Sequence, residues 1–407
     1  MDGSFGMTAF SNKLRVMPLR LTTAGESHGP RLTAILEGIP AGLRIDPGLV
    51  RLDLARRQHG YGRGGRMKIE ADDASFEGGV RGGVTLGSPI AIGVRNRDFA
   101  NWEAVMGPLE VDAAAAQERR LTRPRPGHAD LPGGMKFGAS DLRDVLERAS
   151  ARESAARVAA GAVCKQLLAE CGIEVRSGVL SLGAVLDERS PRSFAALERV
   201  RDDSPLRALD ASLEPKMVAA VDAAKRAGDT LGGTILVGAR GVPAGLGSYA
   251  SWDRKLDGRM GQALLSIPAV KAVEFGSALQ ASRGPGSAAH DEIERGPKGT
   301  LRRRTNRAGG LEAGVTNGEE IIAVIAMKPL STLARGLDSV DLDTGAPARA
   351  AYERSDVTAV PACGVIAEAM LALVLADALL ETTGGDRMED VRERLRAHRE
   401  RVARYPR

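Results

Sequence analysis

Residues 121 to 160 read LTRPRPGHADLPGGMKFGASDLRDVLERASARESAARVAA, and the fold turns on how this stretch is read. It opens as a Pro/Gly-rich loop carrying Arg123, Arg125 and His128, then passes at Ser140 into the longest helical pattern in the chain. Ser140 suits an N-cap and Asp141 and Asp144 suit a first turn; with no proline until well past Gly172, the spacing predicts one helix of roughly thirty residues. An apolar stripe through Leu142, Val145, Ala149, Ala156, Ala160, Val163 and Leu167 predicts that this helix is buried, and its many alanines would let other backbones approach closely.

Buried helices rarely carry spare charge, so the arginines here are informative. Arg148 has Asp144 one turn earlier and Arg157 has Glu153, so an i,i+4 ion pair explains both, with ligand contact as the competing reading. Arg152 has no such partner. Its neighbours three and four positions away are Ala149, Arg148, Ala155 and Ala156, so its own helix offers only like charge, and an anion from outside would answer it.

Composition narrows the function. With 407 residues, 43% of them hydrophobic, the chain can bury a large core, as two or three domains or as one duplicated unit. The formal charge is +5, yet no long Lys/Arg block occurs and many arginines stand singly among glycines; that favours a pocket for a small anionic substrate over a broad charged surface. Aromatic residues at 3% leave few platforms for stacking bases, which argues against nucleic acid. Cys164, Cys171 and Cys363 are odd in number, lie in apolar contexts and lack Cys-x-x-Cys spacing, so neither a disulfide framework nor a metal site is expected, and a reducing cytoplasm is the default. Residues 1–18 do not read as a secretory signal and are expected to be a peripheral extension, with Met17 an alternative start. The apolar run from Val365 to Leu380 contains Glu368 and Asp377 and reads as a buried helix, with no membrane partner.

Taken in order, residues 19 to 45 suit strands around the loop TAGESHGPR, and Asp46 and Pro47 open a helix to about Gln58. Strand-like pieces continue to Val94, followed by a charged helical stretch to about Arg120. Residues 187 to 213 look like a polar surface insertion. A helix near 214 to 227, a strand in TLGGTILVGARG, a helix near 257 to 266 and a strand from Ala269 to Phe275 follow. Residues 280 to 307 are loop-rich and basic, 311 to 328 look like paired strands, and a charged helical tail, expected to be peripheral, occupies 386–407.

Internal repetition is the main organisational signal. GIPAGL at 38–43 returns as GVPAGL at 241–246, GGVRGGVTLGSPIAIGV (78–94) resembles AGVTNGEEIIAVIAM (313–327), and the helix near 141 has a counterpart near 361. Similar order at similar spacing predicts a single domain over 19–385 made of two related halves, about 19–185 and 214–385, each a sheet with helices and facing the other.

Several motifs carry chemistry. GYGRGG (60–65) formally matches G-x-G-x-x-G, but a helix precedes it and a strand-like MKIE follows, the reverse of a dinucleotide fold. It is either a solvated basic loop or one whose glycines bring Arg57, Arg63 and Arg66 to an anion. Of the five histidines, His28 in GESHG and His128 in RPGHAD lie in glycine-flanked loops beside arginines, where an imidazole can give a proton to an anionic substrate. Lys328 and Thr332 in KPLST suit either a strand end or a phosphate. On spacing alone, Asp356 pairs with Arg354.

Together, GESHG, RRQHGYGRGGR, RPGHAD, ERASARES, GVPAGLG, SIPAVKAVEFG, TNRAGG, MKPLST and RSDVTAVPA, in this order across about residues 19 to 380, resemble the chorismate synthase family. The resemblance implies an α+β, β-α-β sandwich subunit, a homotetramer, and conversion of 5-enolpyruvylshikimate 3-phosphate to chorismate by anti-1,4-elimination of phosphate. It also implies a requirement for reduced FMN without net redox change, the flavin lending electron density transiently. By the same resemblance Arg57, Arg63, Arg66, Arg125 and Arg152 hold the substrate's phosphate and carboxylates, His28 protonates the departing phosphate and His128 supports the charged flavin. Asp356, with Arg354 beside it, helps deprotonate the flavin N-5. FMN contacts fall on Arg148, Ala149, Ser150, Ala269, Ala313, Lys328, Pro329, Leu330, Ser331 and Thr332. Ala149, Pro268 and Ala313 depart from the commonest family pattern, which has Ser, Asn or Gln, and Gly there. No separate NAD(P)H unit is visible, which favours an external flavin reductant. Two rivals remain open: an RNA-binding protein, whose affinity would fall steeply with salt, and a phosphate-handling lyase without flavin.

Overall fold

The computed structural model describes residues 19–63, 72–186, 192–296, 300–353 and 355–405. Two antiparallel sheets enclose a layer of helices. The first contains β1 (Arg20–Ala24), β2 (Arg31–Glu37), β3 (Ala74–Gly78) and β4 (Ile90–Arg95) in the order β1-β2-β4-β3. The second contains β5 (Glu174–Leu182), β6 (Val185–Leu186), β7 (Gly233–Arg240), β8 (Val270–Phe275) and β9 (Ile321–Met327) in the order β8-β9-β7-β5-β6. Between them lie α1 (Pro47–Gln58), α4 (Ser154–Glu170), α5 (Leu256–Leu265) and α6 (Val360–Thr383), after the shorter α2 (Asp130–Phe137) and α3 (Arg143–Ala149). α4 packs on β2 and β4, α6 packs on β5 and β7, and the two helices pack on each other, which gives the expected α+β sandwich.

Local signals account for several boundaries. The Asp46 carboxylate accepts from the Gly48 N–H at 2.7 Å and Pro47 supplies a helical φ, so α1 begins and ends where the sequence predicts. In β2, Leu32, Ala34 and Leu36 are buried and alternate with less buried residues, so one face meets the helices. α6 is long and apolar enough to cross a membrane, but 83% of its most apolar window is buried inside the protein, where it is the core helix. Gly161 of α4 lets it touch α6 directly: a Cβ there would lie 2.4 Å from that of Ala369. Gly161→Ala is therefore expected to cost about 1–3 kcal/mol of stability through overpacking, read as an earlier midpoint in chemical denaturation.

The two hexapeptide turns are held alike. The Thr85 hydroxyl donates to the Pro40 carbonyl at 2.6 Å and accepts the Leu43 N–H at 3.0 Å. The Thr316 hydroxyl donates to the Pro243 carbonyl at 2.7 Å and accepts the Leu246 N–H at 2.8 Å. Both threonines are buried, so in each half a β-hairpin is pinned to the turn by the same polar bridge.

Three sequence expectations are corrected. The thirty-residue helix is two helices: α3 ends at Ala149, Ser150 takes an extended backbone (φ −62°, ψ 139°), and a short 3-10 turn at Ala151–Glu153 leads into α4. Ser150 accepts the Arg152 N–H with its hydroxyl and so caps a new turn where a continuous helix was predicted. The segment at 187–213 is more than a surface insertion, although 187–191 lie outside the described residues. Its helix Phe194–Glu198 buries Phe194, Ala196 and Leu197 against Leu180, Leu236, Ile322 and Val324, covering the outer face of the second sheet. That face is apolar and would otherwise meet water. The tail forms the charged helix α7 (Met388–Ala403), yet Met388, Val391 and Leu395 join the main core and the His398 Nε2 lies 2.7 Å from the Ala244 carbonyl.

Candidate active site

One cavity of about 780 Å³ opens where the helix layer meets the ends of both sheets. The loop after β1 brings His28, the C-terminal end of α1 brings Arg57, and the loop beyond it brings Arg63. The break between α3 and α4 brings Ser150 and Arg152, the RPGHAD turn brings Arg125 and His128, and the approach to α6 brings Asp356. Ala269, Leu330, Ser331 and Thr332 line the side nearest β9. Residues scattered over most of the sequence thus face one space. Arg66 and Arg354 lie outside the described residues.

The break in the predicted helix is what aims Arg152. Its Nη1 meets the buried Asp72 carboxylate at 2.5 Å and its Nε donates to the Asn96 side chain at 3.0 Å. Arg57 reaches the other Asp72 oxygen at 3.4 Å and also donates to Ser154 and to the Ala151 carbonyl. Asp72 therefore bridges two arginines whose charges repel. Burial lowers the Arg57 pKa to about 10, with Arg152 and Arg63 adding to the effect and Asp72 and Asp356 opposing it. Asp356 pairs with Arg63 at 2.9 Å, across the cavity wall, and the expected Arg354 partner lies outside the described residues. Among the described residues that line the cavity, guanidiniums outnumber carboxylates, an arrangement suited to a multiply charged anion.

Each histidine meets a carboxylate at Nδ1. His28 lies 2.9 and 3.0 Å from the two oxygens of Glu147, and its ring stacks on Trp102 with centroids 4.0 Å apart. His128 lies 2.5 Å from Asp130, which also receives two guanidinium bonds from Arg125. Burial would raise both carboxyls, but hydrogen bonds and charge from His28 and Arg143 leave Glu147 below its ordinary range, and those from His128 and Arg125 leave Asp130 well below it. An ionised carboxylate has no proton, so it accepts from Nδ1–H. Arg125 is committed to Asp130 and to the Thr332 hydroxyl at 2.8 Å, and it frames the cavity beside His128.

Other expected contacts lie off the cavity. Arg148 ignores Asp144 and donates to the carbonyls of Thr23 and Gly25, with its side chain 42% exposed, whereas Arg157 keeps its predicted pair with Glu153 at 2.9 Å. Ala149 is one residue short of the lining at Ser150, and Pro329 is exposed on the rim. Lys328 sits just behind the lining, 2.9 Å from the Ser331 hydroxyl. Ala313 is not part of the lining: it lies in a hairpin whose Gly314 carbonyl accepts the Ser248 and Leu256 N–H groups, at the opposite end of β9 from Met327.

Sequence reading missed Glu147, Asp72, Asn96, Asp130 and Trp102. Asp130 had a signal, two residues after His128 in RPGHAD. Glu147 had only a misleading one, since four residues after Arg143 it looks like half of a helical ion pair, and that bond exists at 3.2 Å. Asp72 had none.

A sequence model of the family described as chorismate synthase matches residues 19–380. The chorismate synthase of Geobacillus thermodenitrificans (strain NG80-2) is 51% identical over 390 residues, covering 96% of this chain and 100% of that protein. That of Moorella thermoacetica (strain ATCC 39073 / JCM 9320) is 54% identical over 382 residues, covering 94% and 98%. A crystal structure of a chorismate synthase superposes with a TM-score of 0.76 at 41% identity, covering 95% of this chain and 99% of that one.

Proposed function

The chain belongs to the chorismate synthase family, whose members are lyases, and we propose on that premise that it converts 5-enolpyruvylshikimate 3-phosphate to chorismate by anti-1,4-elimination of phosphate. The observation that carries this reading is the meeting of His28, His128, Arg57, Arg63 and Arg152 in one cavity. A substrate with a phosphate and two carboxylates requires that density of cations.

Reduced FMN fits the residues present. Ile267, Met327, Leu330 and Ile366 give an apolar wall for a flat ring. Burial, aided by the nearby Lys271, lowers the Lys328 pKa, and no carboxylate pairs with Lys328 among the described residues, so a phosphate beside Ser331 would complete it. Ser150, Ala269 and the run Leu330 to Thr332 would hold the cofactor together with Lys328. When bound, the reduced flavin supplies electron density transiently to the breaking bonds.

The chain's own residues do the rest. Arg57, Arg63 and Arg152 orient the substrate and stabilise charge on the leaving phosphate. His28, with Nδ1 directed at Glu147, presents Nε2 as the proton donor to that phosphate. His128 supports the charged cofactor, and Asp356 serves as the proton acceptor near it, held by Arg63. The setting we propose is the cytoplasm, the assembly a homotetramer, and the reductant external.

Anaerobic mixing of enzyme, reduced FMN and 5-enolpyruvylshikimate 3-phosphate should release chorismate and phosphate in equal amounts; no release of either sinks the assignment. Repeating the assay with NADPH and oxidised FMN tests the reductant: turnover there would mean that the chain reduces its own flavin. A bound-flavin spectrum indifferent to substrate would favour a lyase without flavin.

A further inference from the structure

We infer that Glu147 is the positioning residue of His28: from α3 it fixes the imidazole with its proton on Nδ1, so that Nε2 is the nitrogen that serves the substrate. This rests on the reading of His28 as the proton donor. The Glu147 side chain is fully buried, and the i,i+4 bond from Arg143 meets only Oε1, at 3.2 Å. Its two oxygens reach the His28 Nδ1 at 2.9 and 3.0 Å, and Oε2 also accepts the His28 backbone N–H at 2.8 Å. The Glu147 backbone carbonyl accepts the Ser27 N–H at 2.9 Å. The loop carrying His28 is thus tied to α3 through side chain and main chain at once.

Trp102 completes the clamp. It stacks on the imidazole with planes 22° apart, which restrains tilt, while Glu147 restrains rotation about the ring normal. Arg143 connects the two: it donates to Glu147 at 3.2 Å, lies 5.1 Å from the centre of the indole, and reaches Glu353 at 2.8 Å. Arg119 lies over the same indole at 4.7 Å. Glutamine cannot replace this carboxylate. Three donors converge on its two oxygens, namely Nδ1–H, the His28 N–H and Arg143, so an amide N–H placed at either oxygen must face a donor. The ring would turn, or its proton would move to Nε2.

The test uses full-length enzyme loaded with reduced FMN. Glu147→Gln is expected to lower kcat by on the order of 10²-fold while KM changes little, because a positioning residue acts on the step and not on substrate binding. Glu147→Asp, which keeps the charge but shortens the reach, should recover part of the loss. With ¹⁵N-labelled histidine, and the His28 signal identified by its loss in His28→Gln, the wild-type ring should carry its neutral-state proton on Nδ1, and Glu147→Gln should reduce that share. A wild-type ring protonated on Nε2, or the same proton distribution in Glu147→Gln, overturns the inference; the wild-type measurement decides even if the variant fails to fold. A changed distribution with unchanged kcat supports Glu147 as the anchor and instead sinks His28 as the proton donor, so the two failures are distinct.

Discussion

His28→Ala and His128→Ala are each expected to lower kcat by roughly 10²–10⁴-fold while leaving substrate affinity within a few-fold of the parent. Both rings reach the cavity from loops and both are held by buried carboxylates, Glu147 and Asp130, whose only use for an imidazole is to fix its proton and direction. Such an investment makes sense for a group that moves or holds a proton and little for one that adds contact area. The measurement is single-turnover chorismate formation under anaerobic conditions, beside titration of substrate binding to the same variants. Losses confined to affinity, with an undiminished rate at saturation, would remove both histidines from the chemistry. The two need not fail alike: His128→Ala also leaves Asp130 with Arg125 alone, so a milder effect there would fit a role in holding the charged cofactor.

Arg152→Ala is expected to cut kcat/KM by on the order of 10³-fold and to lower stability by about 3–5 kcal/mol, as when one partner of a buried charge pair is removed. Arg152 is 5% exposed, its partner Asp72 is buried, and the next cation, Arg57, is 3.4 Å from that carboxylate. Loss of Arg152 thus removes a proposed substrate contact and leaves the buried Asp72 beside Arg57 at 3.4 Å. Lysine should not rescue it, since Asp72 and Asn96 are addressed by different nitrogens of one planar fork. Chemical denaturation and steady-state kinetics check the two effects separately. Normal kcat/KM in a destabilised variant would make Arg152 a scaffold residue alone.

Much of the fold was legible locally because its signals are local. The Asp46 cap with Pro47, the alternation in β2 and the repeated GIPAGL and GVPAGL turns depend on neighbours a few positions apart. The helix at 140–170 misled for the same reason: its alanines favour a continuous helix, and nothing nearby shows that Arg152 must point at Asp72, eighty residues earlier in the chain. Arg148 misled similarly, since a ready i,i+4 partner was outbid by carbonyls of the β1 loop.

The candidate site divides along the same line. The cationic and imidazole groups, Arg57, Arg63, Arg152, His28 and His128, were readable because unusual charge and histidine placement stand out against glycine and alanine. Their carboxylate partners were not, because an Asp or Glu is common on any surface and becomes distinctive only when buried. By itself the sequence determined the family, the strands and most helices, since these follow from residue type and short spacing. Only the tertiary structure decided that Glu147 belongs to His28, that Asp72 bridges two arginines and that Ala313 is not part of the cavity lining, because pairing between distant segments is set by how the sheets and helices pack.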